Sequence, residues 1–352
     1  MRKHRFHARI IAHAVVLTLA PAFLLAASAE VGKADPKGRN LRPVIGVFSQ
    51  QTSTVTSSST IDPEVKAELD SYRYLIPASY VTWIGQAGGR VLPILLDQPD
   101  AYYESVFEQT NGILFPGGNQ GIDPDDIYTE EGELLWNMAK EANDRGDHYP
   151  IWGTCLGFEE LSVLETGNGD VISLDVVATN LALPLQFVPG ARNSRLFRSF
   201  SPQLLRALRT QSITFNSHDN GLLLSEYRSN PQLNRFFRML SFNETPAGQF
   251  FVSTMEARDY PFYGTQWHPE KNNFEWSQSD DYSNIPHTPS AIAASQATAS
   301  FFLGEARKSG HLFPEERRDE LIYSATIVDS GKSDWIYEQV YVFCPTDQAI
   351  CP

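Results

Sequence analysis

One stretch restricts what this chain can fold into more than any other: residues 149–161, YPIWGTCLGFEEL. An apolar, strand-like run ends at Trp152, a glycine-flanked turn centres on Cys155, and helical spacing of apolar residues resumes at Phe158. A strand that turns so sharply into a helix forces its central residue into strained backbone, and the glycines at 153 and 157 keep the corner clear of side chains. Such a nucleophile elbow places Cys155 exposed at the apex. The positive end of the following helix there lowers a thiol pKa and raises the thiolate fraction. The competing reading is a buried structural cysteine, the usual state of a free thiol.

Upstream and downstream, strand and helix patterns alternate. Residues 43–49 (PVIGVFS), 91–96 and 112–115 read as buried strands, with helical spacing at 78–87 and 130–143 between and after them. Strands separated by helices imply a mostly parallel sheet with ligands at the carboxyl ends of the strands, where both FPGG at 115–118 and GTCLG at 153–157 fall. After the elbow helix, 181–187, 222–227, 236–242 and 250–255 read as shorter strands of a more antiparallel region. Residues 291–308 read as a final amphipathic helix. The patch TSTVTSSST at 52–60 reads as a mobile loop.

The 352 residues, 42% of them hydrophobic, suffice for one large or two ordinary domains. Arg2, Lys3, Arg5 and Arg9 precede an apolar run over 10–27 that ends in Ala27-Ser28-Ala29, the pattern of a secretory signal peptide cut before Glu30. An uncleaved anchor is the alternative, but His13, Thr18 and Pro21 interrupt the run. The expected organisation is therefore a signal peptide over 1–29, a linker over 30–41, one catalytic domain over 42–308 and a C-terminal tail over 309–352. Losing four basic residues with the leader takes the formal charge from −14 to −18. So acidic a chain is a poor partner for nucleic acid, which needs clustered cations, and fits an acidic compartment.

Three cysteines in an oxidising lumen leave one unpaired. Cys344 and Cys351, close together near the C-terminus, are the natural disulfide, with two free thiols on a mobile tail as the alternative; Cys155 is then the odd one. No C-x-x-C or His/Cys cluster suggests a metal, and no cofactor is expected. A cysteine nucleophile needs a base, and the base needs a group to orient it. Residues 262–271, FYGTQWHPEK, supply a strand ending in His268 and Glu270, two apart and so pointing the same way in extended chain.

Together, GTCLGFEEL at 153–161, ILFPGG at 113–118, VSTMEA at 252–257, YGTQWHPEKN at 263–272 and RYLIPASYV at 73–81 resemble the gamma-glutamyl hydrolases, relatives of the class I glutamine amidotransferases. The resemblance runs from about residue 42 to the last helix and more weakly beyond. It implies a flavodoxin-like, doubly wound α/β fold, a homodimer and cleavage of folylpoly-γ-glutamates; with the leader, the expected location is the secretory pathway, ending in the extracellular medium, a lysosome or a vacuole. It implies Cys155 as nucleophile, His268 as base and then acid, and Glu270 as the carboxylate of the triad. The backbone amides of Gly118 and Leu156 would form the oxyanion hole.

Further candidates stand beside bland readings. His218, in FNSHDNG, falls where the family has a second active-site histidine, though Asn220-Gly221 is equally a turn signal. Arg73 and Tyr74 are expected just before a helix, where the arginine could fork onto a substrate carboxylate. Glu159 matches the family motif, yet an acidic residue in a first helical turn also favours the dipole. Lys271 reads as a solvated lysine, with service to a substrate carboxylate as the alternative. Asn243, in Asn-Glu-Thr, is the expected glycosylation site. Two other functions fit the same residues: a glutaminase serving a synthase, and a binding protein that retains the fold.

Overall fold

The computed structural model describes residues 38–57, 61–331 and 335–344. The leader expected over 1–29 and Cys351 lie outside the described residues. The strands are β1 Val44–Phe48, β2 Gln50–Gln51, β3 Tyr74–Pro77, β4 Arg90–Ile94, β5 Ile113–Phe115, β6 Ile151–Thr154, β7 Leu181–Leu183, β8 Gln186–Phe187, β9 Thr214–Asn216, β10 Phe237–Glu244, β11 Phe250–Ala257, β12 Phe262–Thr265, β13 Thr326–Asp329 and β14 Gln339–Phe343. The main helices are α1 Ala78–Gln86, α2 Asp100–Gln109, α3 Ile127–Asp144, α4 Leu156–Thr166 and α5 Pro289–Ala306.

A central sheet runs β4-β1-β5-β6-β12-β11-β10-β8. Its first five strands are parallel and the other three join antiparallel. Counted among themselves, the parallel strands follow the order 2-1-3-4-5, the flavodoxin-like doubly wound arrangement. Strands buried on both faces lose the in-out alternation of an exposed sheet, which is why VIGVF in β1 is apolar throughout and wholly buried. Helices α2, α3 and α4 cover one face through Tyr103, Trp136 and Phe158. On the other face α1 and α5 pack Trp83 and Phe302 against Trp152 of β6, ring centroids 5.4 and 5.8 Å away.

A second, antiparallel sheet, β13-β14-β3-β2, joins the end of the chain to its beginning. Val340 pairs with Pro77 and Phe343 with Tyr74. Leu75, Val328, Trp335, Tyr337 and Val342 form a core beneath it.

Three local expectations are corrected. The run 222–227 is not a strand; Leu224–Ser229 is a helix that buries Leu224 and Tyr227, three apart, and the alternation of Leu222 with Leu224 only imitates the two-residue period. The run 181–187 is two strands broken at Pro184, β7 pairing with β9 and β8 with β10. Within 52–60, Thr52–Val55 forms a helical turn with Thr52 and Val55 buried, so this part is packed; residues 58–60 lie outside the described residues.

Candidate active site

Four neighbouring strand ends deliver the site. After β1 comes Gln50, after β5 the Gly117-Gly118 pair, after β6 Cys155, and after β12 the segment Gln266 to Glu270. Parallel pairing sets Thr154 beside Thr265, and the amide of Cys155 donates to the Thr265 carbonyl at 2.8 Å, which anchors the elbow to the strand that carries the histidine.

Cys155 adopts φ 53° and ψ −111°, left-handed backbone that a non-glycine residue holds only at a cost of about 1–3 kcal/mol, offset by the structure around it. Two glycines make the corner possible. A Cβ on Gly153 would meet the Gly157 carbonyl oxygen at 2.3 Å, and one on Gly157 would meet that of Phe115 at 2.0 Å. Any side chain there would push α4 off the sheet.

The thiol is not exposed as the sequence suggests. Cys155 is 5% accessible, and its S–H donates to the Ser217 carbonyl at 3.8 Å, because the chain after β9 crosses above the elbow. Burial pushes the thiol pKa up, Glu159 adds to the rise, and the Leu156 amide only partly opposes it. The helix terminus acts in the expected direction and is outweighed by desolvation. The resting residue is a neutral thiol.

His268 is also buried, and its Nδ1 lies 2.7 Å from Glu270 Oε1. A carboxylate can only accept, so Nδ1 carries the proton and Nε2 is a bare lone pair. That Nε2 makes no hydrogen bond among the described residues. Burial lowers the His268 pKa despite Glu270 beside it, which keeps the imidazole neutral. For Glu270 burial acts upward, but His268 and Lys271 outweigh it and the net shift is downward, leaving a carboxylate. A Cβ placed on Gly117 would lie 2.7 Å from His268 Cε1 and 3.0 Å from Cys155 Cβ, so histidine and cysteine converge on one point that only glycine leaves open.

The loop after β5 is held by two side chains that carry no obvious sequence signal. The Gly117 amide donates to Tyr80 Oη at 2.7 Å, and Gln50 Nε2 donates to the Gly117 carbonyl at 2.9 Å. Tyr80 Oη also lies 3.4 Å from His268 Nδ1.

A cavity of about 300 Å³ opens onto Cys155. Gly118 and Leu156 line it, and Leu156 is the first residue of α4, where amides have no acceptor within the helix. Glu159 and His218 line it as well. Glu159 is buried, accepts from Gln266 Nε2 at 2.8 Å, and burial pushes its carboxyl up to about 7. His218 Nδ1 lies 2.8 Å from the Asn220 carbonyl and must donate to it, so Nε2 is again a buried lone pair. Burial pulls its pKa down to about 4. Tyr282 and Asp219 complete one side of the opening.

Arg73 and Tyr74 are not at this cavity. Tyr74 starts β3 and is wholly buried in the core, while Arg73 pairs with Asp97 and faces a separate hollow shared with Lys66. Lys271 is completely buried rather than solvated. Asn243 is 2% accessible: its Nδ2 donates to the Pro184 carbonyl at 2.7 Å and its Oδ1 accepts from Ser253 Oγ at 2.5 Å. The nitrogen that a glycan would occupy is engaged inside the folded chain. Cys344 is disulfide-bonded and Cys155 is free.

The Peptidase C26 family matches residues 43–172, from β1 past the elbow helix. Gamma-glutamyl hydrolase of Homo sapiens is 37% identical over 323 residues, 91% of this chain and 96% of the human protein. The chain belongs to the gamma-glutamyl hydrolase family. The Mus musculus hydrolase is 39% identical over 304 residues, 86% of this chain and 90% of its own length. Gamma-glutamyl hydrolase 1 of Arabidopsis thaliana is 36% identical over 308 residues, 86% of this chain and 83% of its own. The alignments cover nearly the whole described fold, so membership extends beyond the elbow region that the family match spans.

Proposed function

We propose that this chain hydrolyses γ-glutamyl amide bonds, with folylpoly-γ-glutamates as its substrate class, through a thioester on Cys155. The observation that carries the reading is Cys155 on a cavity lined by the amide-bearing residues Gly118 and Leu156, with the Glu270-oriented His268 meeting Cys155 at Gly117. As a γ-carbonyl settles against Cys155, Sγ attacks carbon and His268 Nε2 takes the thiol proton. The imidazolium that forms is stabilised by Glu270, and the oxyanion by the two amides at about 3 kcal/mol each. Collapse expels the amine of the next glutamate, which receives the proton from Nε2. Water, deprotonated by the same nitrogen, then attacks the thioester and returns the thiol. Because thiol and imidazole both rest neutral, the ion pair forms only with substrate in place.

The cavity also bears on how an acidic protein holds an anionic chain. Among the described residues, no lysine or arginine lines it. A substrate α-carboxylate there is met by Glu159, which binds it as the protonated acid, and by backbone amides. Activity on the acid side of neutrality follows, consistent with a secreted, lysosomal or vacuolar protein; the homodimer is proposed on family resemblance alone.

Incubation with a pteroylpolyglutamate and, separately, with glutamine, products read by mass, tests the assignment. Shortened pteroylglutamates from the wild type and none from Cys155→Ala support it. Ammonia from glutamine with intact polyglutamate would make the chain a glutaminase.

A further inference from the structure

The turn after the catalytic carboxylate carries a cation that the fold has removed from water. Lys271 has no accessible surface, and its Nζ finds no hydrogen-bond acceptor among the described residues. Its surroundings are specific. Nζ lies 3.8 Å from Glu270 Oε1 and 4.3 Å from the ring centroid of Tyr337. Tyr337 is 4% accessible and belongs to the C-terminal segment leading into β14. A second buried carboxyl, Glu275, accepts the Glu338 amide of that segment at 2.7 Å. Taking an ammonium out of water costs several kcal/mol even after relaxation, and it is repaid only by well-placed partners. Here the partners are the triad carboxylate and an aromatic face, whose cation–π attraction strengthens once the ammonium is desolvated.

We propose that Lys271 is a positioning residue for the reaction: held on the face of Tyr337, its ammonium fixes the Glu270 carboxylate beside His268 Nδ1. The C-terminal segment thereby supports the catalytic centre from behind. This rests on the reading of Cys155, His268 and Glu270 given above. The titratable groups facing the pair are His268 from the turn after β12, Cys155 from the elbow, Tyr80 from α1, and Tyr337 and Glu275. Lys271 pulls down both Glu270 and His268, although burial and the histidine–carboxylate contact are larger influences on each. Removing it raises both. Hydrolysis needs neutral His268 and ionised Glu270, so both changes move the acid limb of kcat/KM to higher pH.

The test is the pH profile of γ-glutamyl hydrolysis for Lys271→Met, Lys271→Arg and Tyr337→Leu, beside wild type and Cys155→Ala, with thermal unfolding of each. Methionine preserves length and apolar volume, and replacing a buried ion by a well-packed apolar residue is often neutral for stability. Lys271→Met is expected to lose about tenfold or more in kcat with KM little changed, its acid limb displaced upward by about one pH unit or more. Lys271→Arg restores the limb, and Tyr337→Leu displaces it in the same direction. A Lys271→Met enzyme with the wild-type limb, or with losses that only track the folded fraction, overturns the proposal. Should Lys271→Met fail to fold, an unmoved limb in Tyr337→Leu overturns it equally. Full activity in Cys155→Ala would instead sink the underlying mechanism, whatever Lys271 does.

Discussion

His268 and Glu270 are two residues apart in sequence, both almost wholly buried, with Nδ1 2.7 Å from Oε1. The contact fixes the tautomer that leaves Nε2 free. Glu270→Gln keeps an acceptor opposite Nδ1 but loses the charge that stabilises the imidazolium, and it can turn its amide nitrogen toward the ring. A loss of about 10²–10⁴ in kcat is expected, with KM nearly unchanged. Steady-state kinetics on a γ-glutamyl peptide checks this; a loss confined to KM would assign Glu270 to substrate binding instead.

Gly118 has no space for a side chain, since a Cβ would fall 1.8 Å from Gln50 Oε1. Gly118→Ala must therefore displace Gln50, which holds the Gly117 carbonyl, or move the loop itself. Misplacing one oxyanion donor is worth about 10²–10³ in kcat. The double variant Gly118→Ala with Gln50→Ala relieves the clash, and partial recovery of rate would show that displacement, not loss of the glycine itself, is the cause.

The buried thiol makes a counterintuitive prediction for alkylation. A low-pKa nucleophile reacts with iodoacetamide at a rate that levels off in the acid range. With desolvation and Glu159 both raising the pKa of Cys155, the rate for the free protein should still be climbing at about pH 9, above the ordinary range for a thiol. A plateau below pH 7 would mean that a thiolate–imidazolium pair exists before substrate arrives.

Burial lifts Glu159 to about 7, Glu160 to about 8 and Glu275 to about 7 from an ordinary 4.5. The folded chain then keeps protons that the unfolded chain gives up. The stability they contribute is fully present below 4.5 and is lost as pH rises through 7 to 8. Thermal unfolding should show a Tm several degrees higher at pH 5 than at pH 8, with Glu160→Gln flattening the difference. A Tm that rises toward pH 8 would contradict it.

Glu159→Gln tests the cavity itself. Glutamine offers the hydrogen-bond donor of a protonated acid at every pH, so the decline of kcat/KM above about pH 7 should weaken while the acid-side rate stays within a few-fold of wild type. If the alkaline decline is untouched, the limb belongs to another group.

The elbow and the FPGG loop were legible because their constraint is local. Gly153 is glycine because the Gly157 carbonyl passes within 2.3 Å of a would-be Cβ, and the neighbouring sequence shows the turn. His268 and Glu270 were legible for the same reason, as a short pattern closing a strand. What failed to show were the effects of distant segments. Ser217 shields Cys155, Tyr80 holds Gly117, and Tyr337 covers Lys271, and each contact depends on a crossover or a sheet edge rather than on nearby spacing. Cys155 and Lys271 read as exposed in the sequence and are buried in the fold. A residue's burial is decided by what lands on it, and in each case the covering segment comes from elsewhere in the chain.

The pairing of β14 with β3 puts almost the last described residues of the chain beside some of the first. A ribosome makes the elbow, His268 and Glu270 well before the segment that seals them from behind. The nascent chain therefore carries all its reactive groups for a time without the wall that aligns them. The contact of Tyr337 with Lys271 is the last of these to be made, and a chain cut ahead of it would keep its nucleophile and lose that contact.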